Sequence, residues 1–174
     1  MKNMGRRGFM GKAFGGVAGV GAVAALYAMK KSWDPLPSVK ASGFTTLDMS
    51  AYKENTLVVE KWRGKPIFVL KYTPAMIAQM NSAQKPRIIT IGSASYLVAI
   101  GLCTHLGCIP GYKKKEESFL CACHGGTYDL VGNVTKAPPP RALDIPPFKI
   151  NGNTLVLGEA GPEYKQMKEN GITL

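Results

Sequence analysis

Residues 103–126 read CTHLGCIPGYKKKEESFLCACHGG, and this stretch holds all four cysteines and both histidines of a 174-residue chain. Two boxes stand out in it: Cys103-Thr104-His105-Leu106-Gly107-Cys108 and Cys121-Ala122-Cys123-His124-Gly125-Gly126. A chain that places both of its histidines beside cysteine pairs is assembling a ligand set rather than scattering core residues. A Cys₂His₂ set can hold one Zn²⁺ in a tetrahedral site. It can also hold a [2Fe–2S] cluster with two cysteines on one iron and two histidines on the other. Four cysteines can instead form two disulfides in an oxidising compartment. Each box has a Cys-x-His or Cys-x-x-His pair plus one further cysteine. Two such loops facing each other can offer one Cys and one His apiece, leaving one Cys on each loop to pair.

The sequence on either side of the boxes reads as strands. Thr56 to Trp62 and Pro66 to Tyr72 are β-branched and aromatic runs separated by Arg63-Gly64-Lys65, a hairpin-length connection. Pro74 to Met80 suits a short helix with Thr73 as cap and Pro74 at its first position. Arg87 to Gly92 and Tyr96 to Leu102 continue the strands, and Phe148-Lys149-Ile150 and Thr154 to Leu157 flank the turn Asn151-Gly152-Asn153. The pattern predicts a small antiparallel all-β domain. The tail after Gly158 is polar and is expected on the surface as a short helix or coil.

The amino terminus is different in kind. Ala13 to Met29 is 17 residues without a charge, at the lower limit for crossing a bilayer core of about 30 Å. Basic residues precede it, as positive-inside orientation requires. Gly5-Arg6-Arg7-Gly8-Phe9-Met10-Gly11-Lys12 looks like a twin-arginine export signal, a route that suits a protein loaded with its cofactor before export. Lys30 to Gly43, with Pro35 and Pro37, reads as a linker. Net charge is +11, but from Phe44 onward 15 basic residues face 10 acidic ones, +5. The basic run Lys113-Lys114-Lys115 is offset at once by Glu116 and Glu117, so no nucleic-acid-binding surface is expected. Hydrophobic content of 45% excludes a disordered chain. The expected organisation is a basic segment at 1–12, an anchor at 13–29, a flexible hinge linker at 30–43, a domain at 44–158 and a tail at 159–174.

The two boxes resemble those of Rieske iron–sulfur proteins, specifically the type found in quinol–cytochrome c oxidoreductases (cytochrome bc complexes). The resemblance extends through Trp62 to Val69, Leu97 to Leu102, Tyr128 to Val134, Ala137-Pro138-Pro139-Pro140-Arg141-Ala142-Leu143 and Ile145 to Phe148. It implies an all-β, Rieske-type antiparallel sandwich with a cluster-binding subdomain at about 102–141, behind one N-terminal transmembrane helix. It implies one [2Fe–2S] cluster with Cys103 and Cys121 on the inner iron and His105 and His124 on the outer iron, and a Cys108–Cys123 disulfide tying the loops. Two neutral imidazoles in place of thiolates make reduction easier, with Rieske potentials spanning about −150 to +300 mV.

By the same resemblance, Leu106 belongs to the tip, Pro139 to a segment covering the cluster's flank, and Tyr128 to the position whose phenol donates to the Cys103 thiolate. Gly126 departs from the high-potential pattern, which has Ser there donating to a bridging sulfide. Its loss predicts a potential in the lower half of the range, suited to menaquinol, unless Thr127 or a water compensates. The function implied is that of an electron-transfer subunit, not active alone, held in the inner membrane with its head on the periplasmic side. It takes an electron from quinol, with the proton going to His124, and passes the electron to a c-type cytochrome. Its partners are cytochrome b and the c-type cytochrome in a dimeric complex. The alternative is the Rieske small subunit of a periplasmic molybdenum oxidase such as arsenite oxidase.

Overall fold

The computed structural model describes residues 5–41 and 43–172, so Met1 to Met4 of the basic segment, Ser42 of the linker and the last two residues of the tail lie outside the described residues. Two units are distinguished, Met1–Ala41 and Ser42–Leu174.

In the first unit, α1 (Arg6–Trp33) runs 28 residues, about 42 Å at 1.5 Å per residue. It buries none of its described residues, and an 18-residue window within Arg6–Val39 has a mean hydropathy of 1.5. It is long and apolar enough to cross a membrane. The helix outruns the apolar stretch at both ends, and a second helix, α2 (Pro37–Ala41), follows. The expected linker at 30–43 is therefore helical at 30–33 and 37–41. Lys30 and Lys31 are good helix formers and sit in the last turn, where the helix dipole favours cations. The break comes at Asp34, forced into extended backbone by Pro35.

The second unit is built on two strands that are apolar on both faces. In β3 (Lys65–Lys71) and β5 (Ala94–Ile100), Ile67, Val69, Tyr96, Val98 and Ile100 point one way, and Phe68, Leu70, Leu97 and Ala99 the other. These strands pair at the middle of the antiparallel sheet β2-β3-β5-β4, with β2 at Leu57–Trp62 and β4 at Ile89–Ile91. Because side chains alternate across a strand, this sheet serves two cores at once.

On one face lies the sheet β1-β11-β10, with β1 at Thr45–Asp48, β10 at Phe148–Asn151 and β11 at Thr154–Leu157. It contributes Leu47, Phe148, Leu155 and Leu157 to the first core. On the other face lies the sheet β6-β7-β8-β9, with β6 at Gly111–Lys113, β7 at Ser118–Cys121, β8 at Gly126–Tyr128 and β9 at Val134–Lys136. It contributes Phe119 and Tyr128 to the second core, with Phe68 stacked on Phe119 at 5.5 Å. The antiparallel all-β expectation holds, as three sheets in layers.

The short helix α3 (Pro74–Gln79) forms where expected, capped by Thr73, whose hydroxyl accepts from the Met76 N–H. The strand expected from Arg87 begins later, because Pro86 favours a 3₁₀ turn at Lys85–Arg87. Arg87 turns inward and donates to the carbonyls of Val131 and Leu143, in segments that border the third sheet. In the tail, α4 (Pro162–Glu169) packs Met167 into the first core and sets Tyr164 edge-on to Phe148.

Candidate metal centre

Both boxes are loops at one end of the third sheet. The first leaves β5 after Ile100 and enters β6. The second, residues 122–125, closes the hairpin between Cys121, the last residue of β7, and Gly126, the first of β8, which are paired in register.

The loops share one backbone device. Gly107 N–H donates to Cys103 O at 2.8 Å, and Gly125 N–H donates to Cys121 O at 2.9 Å. Both glycines have positive φ, 80° and 71°, which costs other residues but not glycine. Each loop thus turns back on its first cysteine four residues later. A disulfide joins Cys108 to Cys123. Cys103 and Cys121 are unbridged and buried. The Cys121 Sγ lies within 4.8 Å of both sulfurs of the disulfide, so the bridge sits beside this thiol.

The two imidazoles meet edge to face, with ring centroids 4.7 Å apart. They differ in access: His124 is exposed and His105 half-buried. His105 Nδ1 is buried and has no hydrogen-bond partner among the described residues. An unpaired buried imidazole nitrogen is costly unless something ligates it. Leu106 and Ile109 stand out beside the histidines at 71% and 61% exposure.

Tyr128 reaches the Cys103 thiol from β8. Fully buried, its Oη donates to Cys103 Sγ at 3.3 Å and accepts from the Thr104 N–H at 3.0 Å. Burial opposes ionisation of Cys103, but the bonds from Tyr128, the His105 N–H, Cys121 and the Leu106 N–H outweigh it and hold this thiol below the ordinary cysteine value. Burial and the neighbouring Cys103 push Cys121 up instead. The Tyr128 phenol is also raised, by burial and by Cys103, so it stays protonated as a donor.

The proline segment closes the flank. Pro139 is buried against Gly126, and Thr104 Oγ1 donates to Arg141 O at 2.6 Å, tying the first box to this segment. The Thr127 hydroxyl, the nearest candidate to replace a serine at 126, is bonded to Thr135 Oγ1 at 2.7 Å across β8 and β9. Neighbouring strand residues face opposite ways, so Thr127 is turned from the face Gly126 presents. Two contributors carry no mark of their role in the sequence: Thr104, which lies within the first box between two stronger signals, and Arg87, which reads as a strand residue.

Two buried thiols, two imidazoles and an orphaned imidazole nitrogen fit a soft-metal site of mixed sulfur and nitrogen donors. Residues 46–149 match the family model of the Rieske [2Fe-2S] domain. The chain belongs to the Rieske iron–sulfur family. It is 36% identical over 153 residues to the ubiquinol-cytochrome c reductase iron-sulfur subunit of Rickettsia felis, covering 82% of this chain and 86% of that one. The corresponding subunit of Bradyrhizobium diazoefficiens is 35% identical over 162 residues, covering 87% and 92%. Among solved structures, a chain of a hyperthermophilic respiratory complex III is 34% identical, with a TM-score of 0.59, covering 83% of this chain and 98% of that one. A Rieske domain carries one [2Fe–2S] cluster, and the donor set described above suits one.

Proposed function

We propose that this chain is the iron–sulfur subunit of a membrane quinol–cytochrome c oxidoreductase, with its cluster on Cys103, Cys121, His105 and His124. The observation that carries this reading is the asymmetry of the donor set. Two thiols are buried, one of them bonded by Tyr128, while the two imidazoles are the more accessible donors, His105 half-buried and His124 exposed. When bound, the cluster supplies a one-electron acceptor within the Rieske range of potential.

The chain's own residues do the rest. His124 presents its outer ring edge to solvent, where it accepts a hydrogen bond from a quinol hydroxyl and takes the proton. Leu106 and Ile109 give the apolar rim against which an apolar quinol pocket of a cytochrome b closes. Pro139 and the Cys108–Cys123 bridge exclude water from the flank. Position 126 offers no hydroxyl and Thr127 is committed to Thr135, which supports a potential in the lower half of the range and a menaquinol-type donor. Arg6-Arg7 would direct export, α1 would hold the chain in the inner membrane with the head on the periplasmic side, and Asp34-Pro35-Leu36 would be a pivot for delivery to a c-type cytochrome. The relatives favour a cytochrome bc-type complex over a molybdenum oxidase, and that complex is proposed to be dimeric.

The test is a quinol-reduced minus oxidised visible spectrum of the complex extracted in mild detergent. Quinol-reducible b- and c-type haem bands support the reading. Molybdenum without those bands would overturn it.

A further inference from the structure

Gly126 is not required by its backbone: it opens β8 with a φ outside the left-handed region, where any residue fits. It is required by space. A Cβ built there stands 2.5 Å from Pro139 Cδ, 2.7 Å from Pro139 Cγ and 3.3 Å from Pro138 Cδ. Carbon atoms pack best at about 3.5–4.0 Å, so the first two contacts are overlaps.

The neighbour cannot turn away. A proline ring is part of the backbone, its φ is fixed, and Pro139 lies between two further prolines. The segment is also fastened. Thr104 Oγ1 holds Arg141 O, Leu143 N–H donates to Gly132 O at 2.8 Å, and Ile100 N–H donates to Asp144 O at 2.7 Å. Both residues of the contact are buried, so no side chain at 126 escapes into solvent.

We propose that Pro139 is a positioning residue that holds position 126 to glycine, so that the two act as one unit setting the hydrogen bonds on this flank of the metal centre. A hydroxyl at 126 improves the site only when Pro139 is trimmed. Alone, it displaces the proline segment and loosens the cover. Reducing Pro139 to alanine removes both overlapping ring atoms, and the 3.3 Å contact to Pro138 needs a shift of only a few tenths of an ångström. The redox half of this proposal rests on the cluster assignment above; the packing half does not.

The experiment compares Gly126→Ser, Gly126→Ala, Pro139→Ala and the two double variants in the detergent-solubilised complex. The readouts are the cluster's midpoint potential and the temperature at which its visible circular dichroism is lost. The expected result is strong non-additivity. Serine and alanine at 126 both lower the loss temperature, and Pro139→Ala restores it in both doubles. The midpoint rises in Gly126→Ser/Pro139→Ala by more than the single changes together. A Gly126→Ser chain that assembles only when Pro139 is also trimmed supports the proposal equally. Additive effects in either readout would overturn it, as would Gly126→Ser raising the midpoint by itself with unchanged thermal loss. If the wild-type chain bound no [2Fe–2S] cluster, the assignment would fail instead, and far-ultraviolet melting of the same variants would still decide the packing half.

Discussion

The Tyr128 phenol donates to Cys103 Sγ at 3.3 Å while accepting from the Thr104 backbone N–H at 3.0 Å. One buried hydroxyl therefore joins β8 to the first box and is among the hydrogen bonds that, against burial, hold the Cys103 thiol below the ordinary cysteine value. A donor of this kind favours the more negative, reduced centre.

Tyr128→Phe removes that donor and keeps the ring in the core. Hydrogen bonds to charged groups contribute about 1.5–3 kcal/mol. If about 1.4 kcal/mol of this acts only on reduction, the midpoint falls by about 60 mV for a one-electron couple. Potentiometric titration of the variant checks this. An unchanged midpoint would mean that the bond acts equally in both redox states.

Cys108→Ser and Cys123→Ser each remove the bridge between the boxes. Its cysteines are 15 residues apart, a loop for which cross-linking is worth about 3 kcal/mol. The first core does not include either cysteine. The expected outcome is loss of bound iron with near-native far-ultraviolet dichroism. Global unfolding in both variants would show that the bridge holds the whole head and not only the loops.

Arg87 is 4% exposed and donates to the carbonyls of Val131 and Leu143. Burial lowers its pKa and Asp129 opposes that, so the guanidinium stays charged. Arg87→Met strands two buried carbonyls, at about 1–3 kcal/mol each. Urea unfolding should show a loss of about 2–6 kcal/mol for the two together, whereas Lys165→Met on the exposed face of α4 should stay within about 0.5 kcal/mol of wild type.

Burial, with the charge of Glu117, pushes the Tyr112 phenol up to about 12. The folded pKa lies above the unfolded value of about 10. The unfolded chain therefore releases this proton first, and the contribution is present below pH ~10 and lost as pH rises towards 12. Stability measured across that window should decline less steeply in Tyr112→Phe than in wild type. Equal slopes would assign the alkaline loss to other buried phenols such as Tyr72.

Much of this was legible in the chain because the signals are local. Spacing alone displayed the two boxes, and the β-branched runs flanking Arg63-Gly64 and Gly152-Asn153 marked the hairpins. The bounds of α1 were less legible, because an apolar window reports where charge begins, while Lys30 and Lys31 can extend a helix past it. The double-sided central sheet was hidden for a related reason. Ile67 and Phe68 look alike in sequence yet enter different cores. The Gly126–Pro139 contact was out of reach, since it joins positions 13 residues apart whose individual residue types each have simpler explanations.

The central claim is that two thiolates and two imidazoles of this chain hold one cluster. The chain has two histidines, so within it a ¹⁵N-histidine label marks only His105 and His124, and the signal of the reduced [2Fe–2S] centre reports only nuclei close to it. Electron–nuclear double resonance of the reduced, labelled complex reads the ligands directly. The account predicts strong ¹⁵N couplings to two ligating histidine nitrogens on one [2Fe–2S] centre, with one coupling lost in His105→Cys. A centre with no strong histidine coupling would contradict it.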